Sequence, residues 1–281
     1  MLNSSANSYQ YLFLGGILGE VLELPMVGNY LKENERILRD MGITDIKCLT
    51  LNSINSAHRN AKKLIEIMQK EFAKTNKKFI IFSHSKACLE TLLALKRDFS
   101  FFEKTVERII CVQPPFQGSG VLDKPLFSPL LKAWPGLKSL KKGFYTDHLQ
   151  KELVDNEKHH RFLKEKVLVI KTYKRRSRDV SWIIRPVHFV MKRAGSKSDG
   201  LLALHEQVLP FAEYSEITME LDHSDLFTSE RLSKKKREFR QDMMVQLINA
   251  SIDRVESEVL SSGTENIIPT RFNNSEIHLV T

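Results

Sequence analysis

The sequence predicts an α/β fold, with a mostly parallel central sheet and helices on both faces, and three observations carry that reading. Short apolar runs alternate along the chain with longer amphipathic ones, the pattern of successive βα units. Several of the short runs are apolar throughout instead of alternating, as strands covered on both faces are. The 281 residues, 42% of them hydrophobic, suffice for the large core that such a sheet requires. We read one domain over residues 9–260, followed by a polar tail at 261–281 that lacks periodicity and is expected to be flexible.

Each element follows from its local pattern. Tyr11-Leu12-Phe13-Leu14 reads as the first strand, and Asn29 to Met41 as a helix with Leu31, Ile37, Leu38 and Met41 on one side. Asp45 to Leu51 is a strand; Ser56 to Lys74 is a long helix with Leu64, Ile65, Ile67, Met68 and Phe72 on its apolar face. Phe79 to Phe82 is a strand and Lys86 to Lys96 the helix after it. Arg108 to Val112 and Val167 to Ile170 read as central strands, Glu216 to Leu221 as another, and Ser233 to Val259 as a closing helix. Two stretches interrupt the rhythm and read as insertions above the carboxyl ends of the strands, where open α/β sheets bind ligands. One, at about 116–165, mixes exposed-looking Phe116 and Trp134 with lysines and reads as a helical cap or lid. The other, at about 174–197, is strongly basic around Trp182, Phe189 and Val190.

Ser83-His84-Ser85-Lys86-Ala87 lies where the apolar strand meets its helix. A serine at the apex of a sharp strand-to-helix turn is lifted clear of its neighbours, and the residues two before and two after must be small for strand and helix to approach. Ser83 and Ala87 meet that demand in place of the usual glycines. A serine nucleophile needs a histidine base oriented by a carboxylate, and the chain order Ser, Asp, His is that of α/β-hydrolases. His223 follows the last strand-like run, and Asp199 lies in the turn Ser198-Asp199-Gly200 after the basic insertion. The expected triad is therefore Ser85, Asp199 and His223. An oxyanion hole needs two convergent backbone N–H groups; the amide of Lys86 is one, and Gly15-Gly16-Ile17 supplies the other, assigned to Ile17. Gly16, His84, Phe116 and Trp134 are the expected substrate-binding residues.

These motifs resemble the bacterial triacylglycerol lipases of the Pseudomonas and Burkholderia type, over roughly residues 10 to 252. The resemblance is carried by Gly15-Gly16-Ile17-Leu18-Gly19, the Ser83–Ala87 pentapeptide, Pro115-Phe116-Gln117-Gly118-Ser119, Ser198-Asp199-Gly200-Leu201-Leu202 and His223-Ser224-Asp225, in the same order. It implies an α/β-hydrolase fold and a lipase- or esterase-like serine ester hydrolase that cleaves acyl esters of lipids through an acyl-enzyme, with phospholipase and thioesterase within the same class. It also implies a structural calcium held by two aspartates, for which Asp179 and Asp225 occupy matching places; the chemistry itself requires no cofactor. The chain departs from the pattern at Gly15, at both elbow glycines and at Lys86, which places a cation beside the nucleophile where it could favour an anionic head group. The eroded motif leaves a second reading, a hydrolase fold without catalysis that binds lipid or a protein partner.

The remaining inferences come from composition. A formal net charge of +9, concentrated in patches, suits an anionic partner, and the segment 171–193 is the expected contact with an anionic membrane surface. Nucleic acid is not expected, because aromatic residues are not interleaved with the basic ones as stacking platforms. Cys48, Cys88 and Cys111 lie in or beside apolar runs and imply no disulfide framework. The first residues lack the basic n-region of a usual signal peptide, so a cytoplasmic location, or export by another route, is expected.

Overall fold

The structure, a computed structural model, describes residues 4–16, 31–52, 55–123, 153, 156–182, 184–209, 212–225, 238–239, 241–246, 248–249 and 278–279. Among the described residues seven strands form one sheet: β1 (Gln10–Gly15), β2 (Ile46–Thr50), β3 (Phe79–His84), β4 (Val106–Val112), β5 (Val167–Thr172), β6 (Ser215–Met219) and β7 (His278–Leu279). Their order is β2-β1-β3-β4-β5-β6-β7. The first six pair in parallel. β7, from the tail expected to be flexible, adds an antiparallel edge through Ile217 and Thr218; the rest of 261–281 lies outside the described residues. The chain runs outward from β1 to β2 and then returns to the other side of β1 as β3. Strand order therefore reverses between β1 and β3, and the crevice beyond their carboxyl ends is where ligands bind in such sheets.

β1 and β3 are buried at every position, so successive side chains feed two cores. Leu12, Leu14, Phe79 and Ile81 face one, with Leu64 and Met68 of helix α2 (Ala57–Thr75) and Leu89 and Leu92 of helix α3 (Lys86–Arg97). Tyr11, Phe13, Ile80 and Phe82 face the other, with Leu38 of helix α1 (Lys32–Asp40) and Met243, Met244 and Ile248 of the closing segment. There the Phe13 and Phe82 rings stack at 4.7 Å. Each such fully buried apolar side chain contributes on the order of 1.5–3 kcal/mol, which makes the β1–β3 centre the rigid base on which the strand ends sit.

The helices start and stop where local chemistry directs. Ser56 caps α2 by accepting the Arg59 N–H, and Asn76 ends it in the left-handed region at φ 52°. Two helices carried no strong pattern in the sequence. α4 (Phe99–Thr105) is capped by Asp98, which accepts the Phe101 N–H. α5 (Glu157–Lys166) is capped by Asn156 and buries only Phe162 and Leu163. It lies within the span read as a cap, yet its two apolar residues join the main core. Residues 124–152 of that span are outside the described residues. The basic insertion contains a 3-10 turn, Ser177–Asp179, and helix α6 (Arg185–Arg193). No helix among the described residues is long and apolar enough to cross a membrane.

Candidate active site

Ser85 stands between β3 and α3 with φ 54° and ψ −124°. A non-glycine residue held there stores on the order of 1–3 kcal/mol of backbone strain, which the surrounding packing must offset. The Ser85 N–H is held by the Val112 carbonyl at 2.9 Å, and its own carbonyl accepts the Cys88 N–H at 3.0 Å. Its side chain makes no capping bond to the helix it precedes. Lys86 begins that helix, at the end where backbone amides and the helix dipole favour negative charge.

The departures from a glycine-flanked elbow are accommodated locally. Ser83 is fully buried, and its hydroxyl lies 2.7 Å from that of Thr91 on α3, which itself bonds the Ala87 carbonyl. A serine therefore occupies the glycine position with its polar atom satisfied. Lys86 corrects the expectation that its charge faces a substrate. Its side chain is 2% exposed, its Nζ is 3.0 Å from Glu90 Oε1, and it donates to the Asn55 carbonyl at 2.9 Å. Asn60 completes that buried group by donating to Glu90 at 2.7 Å.

At the carboxyl edge of the sheet, His223 Nδ1 is 2.8 Å from Asp199 Oδ2. A carboxylate only accepts, so Nδ1 carries the proton and Nε2 is left as the acceptor nitrogen. Asp199 is fully buried, and each of its oxygens is occupied. Oδ1 accepts the Leu201 and Leu202 N–H groups at 2.9 and 2.8 Å, and Oδ2 also accepts the Thr172 hydroxyl at 3.3 Å. The His223 N–H in turn bonds the Asp199 carbonyl at 2.9 Å, so backbone and side chain hold the pair in register. The His223 ring lies 4.9 Å from that of His84, the residue preceding Ser85. Ser85 and His223 thus share one end of the sheet, and no hydrogen bond joins their side chains among the described residues.

Gly16 follows β1 across the same crevice. A Cβ there would stand 2.9 Å from Ser85 Cβ and 3.0 Å from the His84 carbonyl, so only glycine lets this backbone approach so closely. Its successor Ile17 and the expected substrate residue Trp134 lie outside the described residues. Phe116, read as an exposed cap residue, is 1% exposed and belongs to the main core. His84 is likewise buried, and burial, followed by the neighbouring His223, holds its imidazole well below the ordinary histidine range.

Three residues of the site escaped the sequence reading. Gln113, after β4, is fully buried at φ 53°. It accepts from His84 Nε2 at 2.9 Å and donates to Thr172 Oγ1 at 2.7 Å and the Asp222 carbonyl at 2.8 Å. It thereby ties the elbow to the loops that hold Asp199 and His223. Thr172 is the middle of that chain, and Gln207 fixes it by bonding both its N–H and its carbonyl. Asp222 is 2% exposed and accepts from Ser224 and from the Ser181 N–H. None of these has a motif; the only hint was an apolar strand ending in a polar residue.

The two aspartates expected to hold calcium each lie against a protein cation. Asp225 Oδ2 is 3.2 Å from Lys174 Nζ and accepts the Asp222 N–H at 3.0 Å. Asp179 is half exposed beside Arg178, 3.8 Å away. Calcium wants six to eight oxygen ligands. Here both carboxylates already sit against protein cations, and no group of three metal-ligating side chains occurs among the described residues.

No family model matches the sequence, and no curated protein matches it. Solved structures do. A lipase of Bacillus licheniformis, BlEst2 in its mature form, is 16% identical with a TM-score of 0.63, covering 89% of this chain and 94% of that one. The metagenomic carboxyl esterase MGS0156 is 16% identical with a TM-score of 0.60, covering 92% and 77%. Phospholipase PlaB of Legionella pneumophila, in complex with thio-NAD, is 14% identical with a TM-score of 0.57, covering 96% and 67%. Together with the six-strand parallel sheet and its flanking helices, these likenesses show that this chain has the α/β-hydrolase fold.

Proposed function

We propose that the protein is a serine hydrolase of acyl esters of lipids. The observation that carries this reading is the strained serine at the switch point of the sheet, with an aspartate-oriented histidine at the same strand ends. The lipase, esterase and phospholipase named among the similar folds support the ester substrate class.

In the proposed reaction, His223 Nε2 takes the Ser85 hydroxyl proton as Oγ attacks the ester carbonyl carbon. The carbonyl oxygen becomes an oxyanion, received by the Lys86 N–H and by the Ile17 N–H beyond Gly16. Collapse of the tetrahedral species breaks the bond to the alcohol, which leaves with the proton from His223. Water then attacks the acyl-serine, giving its proton to Nε2, and the acid departs as Ser85 regains its hydrogen. Asp199 keeps Nδ1 protonated and holds the ring in place throughout. The proposed reaction requires a bond between Ser85 and His223 to form on substrate binding, as catalytic hydrogen bonds often tighten there.

Turnover of p-nitrophenyl esters over a series of acyl chain lengths tests this. The wild-type chain is expected to hydrolyse them, and Ser85→Ala and His223→Ala each to lose about 10⁴-fold or more with unchanged circular dichroism. Full activity in either variant rejects the assignment. Absence of turnover in the folded wild-type protein would favour the non-catalytic, lipid-binding reading.

A further inference from the structure

The segment between β5 and β6 carries a surface that the proposed chemistry does not use. Residues 174–193 contain seven lysines and arginines against one acid, Asp179. Two cations are offset by carboxylates from outside the segment, Lys174 by Asp225 and Arg175 by Glu220. Arg185 and Lys192 bond carbonyl oxygens, which orients them without neutralising them, so the surface remains strongly positive.

Part of the apolar side chains of this segment packs inward and part faces out of the fold. α6 turns His188 inward, 1% exposed, where its ring meets Ser177 Oγ at 2.9 Å and the Lys174 carbonyl at 3.0 Å. Met191 packs inward with Val121 and Ala203. Phe189 and Val190 point outward at 47% and 53% exposure, and Trp182 at 77%. These are three of the four exposed large hydrophobic side chains among the described residues. The Arg193 guanidinium lies over the Phe189 ring at 4.5 Å, so at that point charge and apolar surface are in contact.

We infer that this face docks the protein on an anionic phospholipid bilayer. A partner must offer negative charge at its surface and an apolar layer a few ångströms deeper. Head groups above acyl chains do so, and basic segments with exposed tryptophan and phenylalanine bind them by both terms together. Nucleic acid fits less well, since it offers charge and base faces but no apolar layer for the exposed aliphatic Val190 beside Phe189.

Docking here would orient the candidate site. The Ser181 N–H donates to Asp222 Oδ2 at 2.7 Å, next to His223. A Cβ on Gly200 would lie 2.8 Å from Ile184 Cδ1, so the same segment also packs against the turn that carries Asp199. The lipid-facing patch and the Asp199–His223 pair are thus parts of one packed layer. Binding rests on the surface alone; delivery of a lipid ester to Ser85 rests also on the function proposed above.

The test uses the full chain carrying Ser85→Ala, so that binding is read without hydrolysis. It is sedimented with phosphatidylcholine vesicles with and without phosphatidylserine. Partition is expected to favour the anionic vesicles and to weaken with salt. A single basic residue near such a surface is worth about fivefold in partition, so Arg176→Glu with Arg178→Glu is expected to lower it about 25-fold or more. Trp182→Ser with Phe189→Ser should lower it while leaving the salt dependence in place. Placed in the chain with Ser85 intact, both double variants should keep wild-type turnover of a soluble short-chain ester, which shows that they fold. Equal partition into both vesicle types, partition unchanged in both double variants, or retention on RNA in place of vesicles would each overturn the inference. If vesicle binding fails while soluble turnover persists, the docking surface is wrong and the hydrolase reading stands.

Discussion

The elbow around Ser85 and the basic segment 174–193 lie at the same edge of the sheet, yet their charges and polar groups end up in opposite places. Around Ser85 the unusual residues are taken into the fold: the Ser83 hydroxyl finds Thr91, and the Lys86 ammonium finds Glu90 and Asn55 at 2% exposure. In the basic segment the histidine is buried and bonded, while Trp182, Phe189 and most of the cations stay at the surface. The comparison separates two kinds of departure from an expected pattern. A polar residue with an internal partner is part of the scaffold, and changing it costs stability. A charged or apolar residue left outside is available to something else, and changing it costs binding.

The contrast can be broken in order of effect. Asp199→Asn keeps the size of the side chain but removes an acceptor that orients the His223 ring, and ester turnover is expected to fall about 10⁴-fold with little change in unfolding temperature. A fall of less than tenfold in steady-state kinetics would mean that the buried pair is structural. Next, Glu90→Ala strands the Lys86 ammonium inside the fold. Breaking a buried pair in this way costs about 3–5 kcal/mol, read from urea denaturation. Replacing the pair together, with Lys86→Met and Glu90→Leu, should restore most of that loss; if it does not, the lysine is needed for more than charge balance.

A smaller effect comes from His84. Burial, and then His223, favour its neutral form in the folded protein, so the unfolded chain takes up a proton at higher pH than the native state does. The stability that this contributes is fully present above about pH 6.5 and is lost as pH falls toward the depressed native value. Thermal melts across that range should show the decline, and His84→Gln should flatten it. A decline of the same size in the variant would place the acid sensitivity elsewhere. Smallest of all, Trp182→Ala is expected to change stability by no more than about 0.5 kcal/mol. A larger loss on chemical denaturation would show that the exposed indole supports the fold and does not belong to a contact surface.

The strands were readable because each buried one is a short uninterrupted apolar run, and the observed bounds of β1, β2 and β3 lie within two residues of those expected at either end. The elbow was readable because a serine between an apolar strand and an apolar helix is a local pattern. α5 was not: of its ten residues only two are buried, so it lacks the apolar stripe that periodicity detects. α4 is seven residues long and follows α3 after a single shared cap, Asp98, which leaves no room for a period to show. Gln113 and Asp222 are 109 residues apart in the chain, and nothing in either neighbourhood announces the other. Lys86 and Glu90 are separated by four residues on a helix, the spacing of a surface ion pair; that the pair is buried follows from the tertiary packing against Asn60 and was not visible locally. Phe116 misled for a related reason. Glycines and prolines beside it suggest a surface loop, but the aromatic ring turns back into the core.

The proposed chemistry needs the Ser85 hydroxyl to be made reactive by its place in the fold. Treatment of the folded protein with a fluorophosphonate, followed by proteolysis and mass spectrometry, asks that question directly. A single adduct on Ser85, absent in His223→Ala, is the predicted result. An unmodified Ser85 in fully folded wild-type protein, or an adduct on another residue that survives Ser85→Ala, would contradict it.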